Sequence, residues 1–546
     1  MQTLLGFMLA MSVTMVLIPV LMRWAVPLQI MDIPGGRKAH GSPVPRVGGI
    51  AMVGGVLLAW TIRGAPSRPM QALIVCAAVL LIFGVWDDRK ALAAGPKFAG
   101  QAIAALIAIL WGTIEIGSVT LDERVPLPAW LSLPLTFFFL VGGTNAFNLA
   151  DGLDGLAGGM STLCLCGTAL LAFTDGNVTV GSAAIAVIGA LIGFLRFNTH
   201  PARVFMGDGG SQVLGFAATA LVVLLTQDPH TALSTALPLL LLGMPIIDTL
   251  MVMIERVLAG QSPFRADRRH IHHRLLTLGF THREAVSILY LLQGGLLTAA
   301  WFLRYSPDTT VALAFLAFAL LIVVPLRILQ RLGVRVRRAR NEPVAALRVA
   351  GRVSLWRREV TLESGARMVL GATLTVFAAR VLLWGAPPSA DERLLALSLA
   401  LLLCASLFLR WRRSDAGWAD KVALYSGAAL AIFLSKSAFP GPMHLGLTEC
   451  VLFALLAVAV VVCIRSLGER TFSVTPLDLL VLLLVVTIPN LPDSVASVRS
   501  LGLAVAELVL LFYAIEALSI AARSHWRWLS AAGAVFLLGL ALRPGL

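Results

Sequence analysis

The residues from Asn145 to Leu156 combine oxygen-bearing side chains with glycines in an otherwise apolar stretch, Asn-Ala-Phe-Asn-Leu-Ala-Asp-Gly-Leu-Asp-Gly-Leu. The side chains of Asn148, Asp151 and Asp154 recur at steps of three, so on a helical turn they would project to one side. Helix capping and a turn would account for one aspartate but not for all three, and the glycines allow a close backbone approach. The spacing therefore predicts a functional site.

Two further acidic motifs lie at the ends of apolar segments. Asp87 and Asp88 are adjacent, and Asp208 stands between two glycines in Phe205-Met-Gly-Asp-Gly-Gly-Ser. Adjacent carboxylates repel each other and persist most readily where a divalent cation or a basic group neutralises them. A solvated loop of mixed charge is the alternative for the pair, and a helix N-cap is the alternative for Asp208.

Basic side chains suited to phosphate groups lie in three stretches. The first begins Asp32-Ile-Pro-Gly-Gly-Arg-Lys-Ala-His, and the second follows the aspartate pair. The third, Arg265-Ala-Asp-Arg-Arg-His-Ile-His-His-Arg, lacks the spacing of a closed zinc site, and its arginines favour a diphosphate partner. An ordinary basic loop is the alternative. The candidate phosphate donors are Lys38, Arg46, Lys97, Arg265, His270, His272 and His273.

Together these motifs supply oxygen ligands for a cation and donors for phosphate oxygens. Mg²⁺ binds through one or two carboxylates plus substrate phosphates, and Mn²⁺ is a possible substitute. This equipment is typical of phosphoryl transfer, in which catalysis consists mainly of positioning and charge neutralisation. The sequence contains no Walker A loop and no dinucleotide-binding glycine motif.

The composition identifies the elements that must position these residues. Of the 546 residues 58% are hydrophobic and only 13% are charged, against about 25% charged in ordinary globular chains. We therefore expect an all-α, polytopic transmembrane helical bundle. The net charge of +14 lies in short loops between apolar runs, which indicates membrane orientation and contact with membrane lipids. Signatures of nucleic-acid binding are absent, so no nucleic-acid partner is expected.

The apolar segments predict about 11 helices in a catalytic module and about 7 more after it. We predict a membrane domain at 1–330, a basic cytoplasmic linker at 331–367 and an additional transmembrane region of unknown role at 368–546. The first eleven segments run near 3–28, 47–62, 70–86, 99–114, 128–144, 157–174, 178–195, 209–226, 232–255, 285–303 and 309–327. The later seven run near 368–386, 394–409, 422–438, 446–464, 477–490, 500–521 and 529–543.

The distribution of lysine and arginine predicts the orientation of the segments. These residues are concentrated in the loops after odd-numbered segments and are few in the loops after even-numbered ones. Because basic loops stay in the cytoplasm, we expect the N-terminus to face outward and all the polar motifs of the first half to face the cytoplasm. A site at this membrane surface implies that one substrate resides in the lipid.

In this order, the five motifs resemble the polyprenyl-phosphate N-acetylhexosamine-1-phosphate transferases. The resemblance covers about residues 1–330, and details such as Val204-Phe-Met-Gly-Asp and His270-Ile-His-His favour the undecaprenyl-phosphate GlcNAc-1-phosphate transferase branch. The peptidoglycan phospho-MurNAc-pentapeptide transferases tend to show three consecutive histidines, which this chain lacks, and they are the alternative. The seven later segments have no counterpart in ordinary members of the family.

The resemblance implies a role for each matching residue. Asp87 and Asp88 match the family's aspartate pair near the metal and the acceptor phosphate, and His272 matches a histidine of its loop motif. Metal would be held by Asp208, with help from Asp87 or Asn148. The residues that match substrate-binding positions, or offer suitable donors beside them, are Lys38, Arg46, Lys97, Asn148, Asp151, Asp154, Arg265, His270 and His273. Lys90 and Ala91 follow the pair where the family varies, which leaves acceptor handling open there.

The reaction implied by the resemblance is the initiating step of cell-surface polysaccharide synthesis at the bacterial inner membrane. Polyprenyl (undecaprenyl) phosphate would attack the β-phosphorus of a UDP-sugar and release UMP, with Asp87 or Asp88 taking any residual proton. A two-step route through an aspartyl-phosphate stays open, as does a homodimer. Arg380, Glu449 and Glu507 fall within later apolar segments. They fit a pair of buried salt links or snorkelling helix ends, or alternatively a fused lipid transporter or flippase.

Overall fold

The chain is a multi-pass membrane protein built mainly of α-helices, which confirms the predicted fold class. Among the residues that the computed structural model describes, ten helices are long and apolar enough to cross a membrane. An α-helix satisfies its backbone polar groups within its own segment, and for this reason apolar stretches of this length adopt it in lipid. The described residues are 2–33, 43–61, 66–90, 92–262, 269–333, 352–409, 418–437, 447–467, 496–521 and 526–543.

The chain forms two compact units, and the larger is built on Gln2–Arg340. In the described part of this unit, eleven long helices correspond one to one with the eleven predicted segments, and two short helices lie among them. The helices are α1 (Gln2–Trp24), α2 (Gly48–Thr61), α3 (Arg68–Lys90), α4 (Ala94–Leu110), α5 (Ala129–Ala150), α6 (Leu156–Thr174), α7 (Val178–Asn198), α8 (Gly207–Thr226), α9 (Pro238–Leu241), α10 (Gly243–Leu258), α11 (Ile271–Thr277), α12 (His282–Phe302) and α13 (Asp308–Arg331).

The predicted segment 232–255 is not one helix, because the chain breaks between α9 and α10. Pro245 has no N–H, so it cannot donate to Leu241 and continue the helix across the break. The side chain of Gln293 on α12 supplies the missing partners. Its Nε2 donates to the Leu241 carbonyl at 2.9 Å, and its Oε1 accepts from the Met244 N–H at 3.0 Å. A buried amide thus replaces one turn of helix hydrogen bonding.

The helix α8 runs through the larger unit from one face to the other. Its end is joined to a hairpin of β3 (Ser118–Thr120) and β4 (Arg124–Pro126). The Nη1 of Arg124 donates to the carbonyl of Asp228 at 2.7 Å, and Oε1 of Gln227 accepts from the Ser118 N–H at 3.1 Å. The hairpin therefore marks one face of the unit, and the beginning of α8 marks the opposite face.

Glycine allows α8 to touch two neighbouring helices backbone to backbone. A β-carbon on Gly84 of α3 would lie 2.2 Å from the Cα of Gly209, and one on Gly49 of α2 would lie 2.3 Å from the Cα of Gly210. No other residue type fits at such a distance, and small residues are a usual means of close helix packing in membranes. The two contacts fix the beginning of α8 against α2 and α3.

The second unit is built on residues from Asn341 onward, and six helices are described in it. The predicted segment 477–490 lies outside the described residues. The helices are α14 (Arg352–Trp384), α15 (Ala390–Leu409), α16 (Trp418–Ser437), α17 (Leu447–Leu467), α18 (Ala496–Ala521) and α19 (Trp526–Leu542).

Two ion pairs join α16 to α18 inside the second unit. The Nζ of Lys436 lies 2.8 Å from Oε1 of Glu507, and Nζ of Lys421 lies 3.0 Å from both carboxylate oxygens of Glu516. The hydroxyl of Tyr425 donates to the same carboxylate at 2.5 Å. Intramembrane charges commonly pair in this way. The position of Glu507 agrees with a buried salt link.

We predict that the larger unit folds without the second one. A chain ending at Asn341 should insert into the membrane and unfold within about 4 °C of the midpoint of the larger unit in the full chain. We expect the truncation to lower the free energy of unfolding of this unit by less than about 1 kcal/mol, which shifts the midpoint of a unit of this size by no more than that. Fluorescence-detected size exclusion and thermal melts of the purified protein would measure this.

The matched control is a chain ending at Leu303, which removes α13 from within the larger unit. That truncation breaks the contacts of Asp308 with Ser234 and Ala236 and the ion pair of Arg327 with Glu255, so it should unfold at a lower temperature. Equal destabilisation of the two truncated chains would contradict the independence of the larger unit.

Candidate active site

Asp88 lies in the last turn of α3, and its carboxylate receives the beginning of α8. The N–H of Asp208 donates to Oδ1 at 3.1 Å and the N–H of Gly209 donates to Oδ2 at 3.3 Å. The first N–H groups of a helix have no partner within it, and the helix dipole favours a negative charge there. Gly207 has a φ of +72°, and a β-carbon on it would lie 2.4 Å from Oδ2 of Asp88. Asp88 therefore sets the position of Asp208.

Lys97, in the first turn of α4, joins the other two acidic side chains. Its Nζ forms an ion pair with Asp87 and lies 3.1 Å from Oδ2 of Asp208. The Asp87 side chain is buried and accepts from the Leu92 N–H at 2.6 Å, whereas Lys97 and Asp208 are 36% and 32% exposed. A ligand can therefore reach Asp208 and Lys97, while the buried Asp87 is held in place by the Leu92 N–H and by Lys97. Two carboxylates this close are stabilised by a cation between them, here the Lys97 ammonium group, or by a proton that they share.

Asn148, near the end of α5, adds a side-chain amide to the group formed by Asp87, Asp88, Lys97 and Asp208, which we call the central cluster. Its Nδ2 donates to Oγ of Ser211 at 2.8 Å, and its side chain lies beside Asp208. The predicted projection of Asn148, Asp151 and Asp154 to one side of a helix is wrong. The helix α5 ends at Ala150, and the chain turns at Asp151. The turn sends the later residues of the motif in other directions.

Asp151 also belongs to the central cluster, although it lies outside α5. Removal from water, together with the negative charges of Asp208 and Asp88, raises the pKa of its carboxyl to about 7. A group in this environment gains from any cation or donor that enters the cluster. Asp151 is therefore placed to respond to a bound cation.

Arg46 borders the central cluster on the side of the first basic stretch, which begins at Asp32. The two-residue strands β1 (Met31–Asp32) and β2 (Val44–Pro45) pair antiparallel, which places Arg46 next to Asp32. Its Nη2 lies 2.8 Å from Oδ1 of Asp32, and its Nη1 lies 3.3 Å from Oδ1 of Asp88. The guanidinium thus anchors the beginning of that motif to the aspartate pair.

The histidine motif is held by an aspartate that the sequence prediction missed. Asp248 of α10 accepts from the Ile271 N–H at 2.7 Å, and its other oxygen lies 2.9 Å from Nδ1 of His270. The side chain therefore caps α11 from a neighbouring helix. A single carboxylate in an apolar segment is a signal for a functional or structural site, and that signal was available in Pro245-Ile-Ile-Asp.

His272 points from α11 toward the turn after α5. Its side chain is buried, and a β-carbon on Gly152 would lie 2.3 Å from its Nε2. This nitrogen has no hydrogen-bond partner within the described part of the chain. Burial, together with the nearby His273 ring at 4.2 Å between centroids, lowers the pKa of His272 to about 3. The imidazole is therefore neutral, with a polar atom left over for a ligand.

Ion pairs fix the far end of α11. Arg274 pairs with Glu255 of α10 and donates to Oε1 of Gln330 at 3.1 Å, and Arg327 of α13 lies 2.9 Å from Glu255. The sequence prediction missed this network as well. Glu255 lies two helical turns after Asp248, so one face of α10 carries both of the carboxylates that hold α11.

Asp154, another predicted site residue, is not part of the central cluster. The Asp154 carboxylate lies 2.7 Å from Nδ1 of His200 and accepts from the Ala202 N–H at 3.1 Å. Lys38 and Arg265 lie outside the described residues.

The central cluster contains more carboxyl groups than basic side chains. Among the described residues at its centre, two cations stand beside the carboxylates of Asp32, Asp87, Asp88, Asp151 and Asp208. These cations are Arg46 and Lys97. Carboxylates gathered at the surface of a helix bundle, with an amide oxygen beside them, match the ligands that Mg²⁺ prefers. The arrangement can bind a divalent cation and, through it, phosphate groups.

The sequence matches known proteins across this site. Residues 70–226 match the family model described as glycosyl transferase family 4. A probable undecaprenyl-phosphate N-acetylglucosaminyl 1-phosphate transferase of Bacillus subtilis is 37% identical over 290 residues, which cover 53% of this chain and 81% of that protein. A decaprenyl-phosphate N-acetylglucosaminephosphotransferase of Mycolicibacterium smegmatis is 36% identical over 344 residues, covering 57% of this chain and 84% of that protein.

A more distant relative has the same kind of name. The undecaprenyl-phosphate alpha-N-acetylglucosaminyl 1-phosphate transferase of Salmonella typhi is 29% identical over 303 residues, covering 54% of this chain and 82% of that protein. The matches span most of each relative but little more than half of this chain. The chain therefore belongs to glycosyl transferase family 4, among the polyprenyl-phosphate N-acetylhexosamine-1-phosphate transferases.

Proposed function

We propose that this protein transfers a sugar-1-phosphate, GlcNAc-1-phosphate or that of a related N-acetylhexosamine, from a UDP-sugar to polyprenyl phosphate. The observation that carries the proposal is the convergence of Asp87, Lys97 and Asp208 at one end of the helix bundle, with Asn148 beside them. The names of three relatives, each of which acts on a polyprenyl phosphate and N-acetylglucosamine, support the substrate class.

The donor set fits a Mg²⁺ ion, which we propose as the cofactor, with Mn²⁺ as a substitute. Asp208 and Asp87 would supply carboxylate oxygens and Asn148 an amide oxygen. Lys97 already bridges the two carboxylates, so this position attracts positive charge. When bound, the ion would neutralise charge on the diphosphate and on the departing UMP. All of these ligands are oxygens, as a hard cation requires.

In the reaction, an oxygen of the polyprenyl phosphate bonds to the β-phosphorus while the bond from that phosphorus to the UMP oxygen breaks. Lys97 is exposed enough to bind phosphate oxygens and to orient them. Arg46 holds Asp88, and Asp88 holds the beginning of α8, so Asp208 keeps one position throughout. The phosphate acceptor is largely ionised at neutral pH, so proton removal is a minor requirement.

The helix α11 offers the neutral imidazole of His272 as a hydrogen-bond donor or acceptor for the substrate. His272 is buried against Gly152, and its Nε2 faces the turn that carries Asp151. We propose that this nitrogen bonds to the UDP-sugar. Asp248 acts through His270 and Ile271 and is a positioning residue.

We further propose that this face of the larger unit lies in the cytoplasm of a bacterial cell and that the membrane is the inner one. Arg46 and Lys97, two of the basic residues predicted to lie inside, are at this face, and UDP-sugars are cytoplasmic substrates. The decisive assay measures transfer of radiolabel from a panel of UDP-sugars to polyprenyl phosphate in membranes, followed by mass analysis of the lipid product. Failure to form a polyprenyl diphospho-sugar from any of them would refute the proposed function.

Asp208→Asn should lower the transfer rate by about 10³-fold or more. An amide cannot neutralise a divalent cation, and such an ion contributes several kcal/mol at about 1.36 kcal/mol per factor of ten. The measurement is the initial rate with purified protein over a range of Mg²⁺ concentrations.

The matched control is Asp122→Asn, the same change at an exposed position of the β3–β4 hairpin. It should leave the rate unchanged. If Asp208→Asn turned over as fast as this control, Asp208 would not be part of the site.

Two cysteine variants test which side of the membrane the site faces. Both are made in a background that lacks the 6 native cysteines. A cysteine replacing exposed Lys90, beside the aspartate pair, should react with a membrane-impermeant thiol reagent only after the cells are opened. A cysteine replacing exposed Asp122, on the opposite face, should react in intact cells. The reverse pattern would invert the topology and remove access to cytoplasmic UDP-sugar.

His272→Asn should lower kcat/KM for the UDP-sugar by about 10²-fold, the usual cost of losing one donor to a reacting phosphate or oxyanion. The wild-type pKa of about 3 keeps His272 neutral between pH 6 and 8, so the variant should have the same pH–rate profile as the wild type. Thr277→Ala on the same helix is the control. A profile whose acidic limb disappears in the variant would instead identify His272 as a titrating group.

A further inference from the structure

A second cluster of metal-binding side chains lies beside the proposed active site. It consists of Asp154, His200 and His282, which offer one carboxylate oxygen and two imidazole nitrogens within 4.8 Å of one another. Nδ1 of His200 lies 2.7 Å from Oδ2 of Asp154. The two imidazole rings are stacked, with centroids 4.2 Å apart and planes 21° apart. We call these three residues the His–His–Asp cluster.

The His–His–Asp cluster joins three segments that are distant in the sequence. Asp154 belongs to the turn between α5 and α6, His200 follows α7, and His282 begins α12. Nε2 of His282 also lies 3.1 Å from the backbone carbonyl of Asp154. All three side chains are partly exposed, so an ion can enter without unfolding of the protein.

The donor set differs from that of the central cluster. Oxygen ligands alone suit Mg²⁺, whereas two imidazoles and a carboxylate are the ligands of Zn²⁺ and related transition metals. Sites with three protein ligands of this kind keep a fourth position for water or substrate. A purely hydrogen-bonded cluster is the competing arrangement, in which two stacked imidazoles share one carboxylate.

We propose that the His–His–Asp cluster binds a transition-metal ion of the Zn²⁺ type, separate from the cation of the central cluster. Such an ion would fix the turn that carries Asp151 and Gly152 to α12 and to the segment after α7. This assignment does not depend on the proposed function, because it follows from the donor set alone.

The turn has anchors besides the His–His–Asp cluster, so variants of the cluster should fold. The N–H of Gly155 donates to Oδ1 of Asn198 at 2.9 Å, and the hydroxyl of Tyr290 donates to the Gly155 carbonyl at 2.6 Å. Asn198 donates in turn to the carbonyl of Val204 at 2.9 Å. These bonds hold the end of the turn whether or not a metal is bound.

The test uses the full chain, purified without chelators or a histidine tag. Zn²⁺ content is measured by mass spectrometry, and Zn²⁺ affinity by calorimetric titration after the metal has been removed. Wild type should bind one Zn²⁺ per chain in the presence of excess Mg²⁺, and Co²⁺ in its place should give the visible absorption of an imidazole-ligated ion. His200→Ala and His282→Ala should each weaken Zn²⁺ binding by at least about tenfold, since even residues behind the ligands contribute that much.

The matched control is His230→Ala, which removes an exposed histidine near the β3–β4 hairpin and should leave Zn²⁺ binding unchanged. Wild type that binds no Zn²⁺ would overturn the proposal and leave a hydrogen-bonded cluster, and this result does not depend on whether any variant folds. Binding that is equal in wild type and in both cluster variants would overturn it as well. Loss of sugar transfer alone, with Zn²⁺ binding intact, would concern the proposed function and not this site.

Discussion

The carboxylate of Asp88 at the beginning of α8 is the interaction on which the rest of the candidate active site depends. It accepts the N–H groups of Asp208 and Gly209 and so satisfies two groups that the helix itself cannot. The contact is possible only because Gly84 lets α3 and α8 touch backbone to backbone. Because Asp208 is in the first turn of α8, its position relative to Lys97 follows directly from this junction.

Two neighbouring aspartates therefore have different surroundings and different tasks. Asp88 is occupied by backbone N–H groups and by Arg46, while Asp87 is paired with Lys97 and lies next to Asp208. Successive residues on a helix point about 100° apart, so one faces α8 and the other faces α4. The pair thus consists of one carboxylate that holds the beginning of α8 and one that pairs with Lys97.

The sequence predicted most of the fold because the long helices of the larger unit are apolar runs bounded by polar residues, but it did not show the break between α9 and α10. It predicted the central cluster because its carboxylates stand out against that background. The direction of Asp154 could not be predicted, since it depends on α5 ending at Ala150 and on the tertiary position of His200. Asp248 and Glu255 were missed because their importance lies in contacts with α11, which is distant in the sequence.

The ion pairs between α16 and α18 have a consequence for biosynthesis. Lys436 precedes Glu507 by 71 residues, and Lys421 precedes Glu516 by 95. At about 5–20 residues per second, the ribosome delivers each acidic partner roughly 4–20 s after its lysine. An unpaired lysine at the centre of a membrane helix costs about 2.5–3.5 kcal/mol, but Lys421 and Lys436 lie near the two ends of α16, where a lysine side chain can reach the interface. The nascent α16 can therefore wait for α18 with both lysines at the interface, and the two ion pairs form only after α18 has emerged.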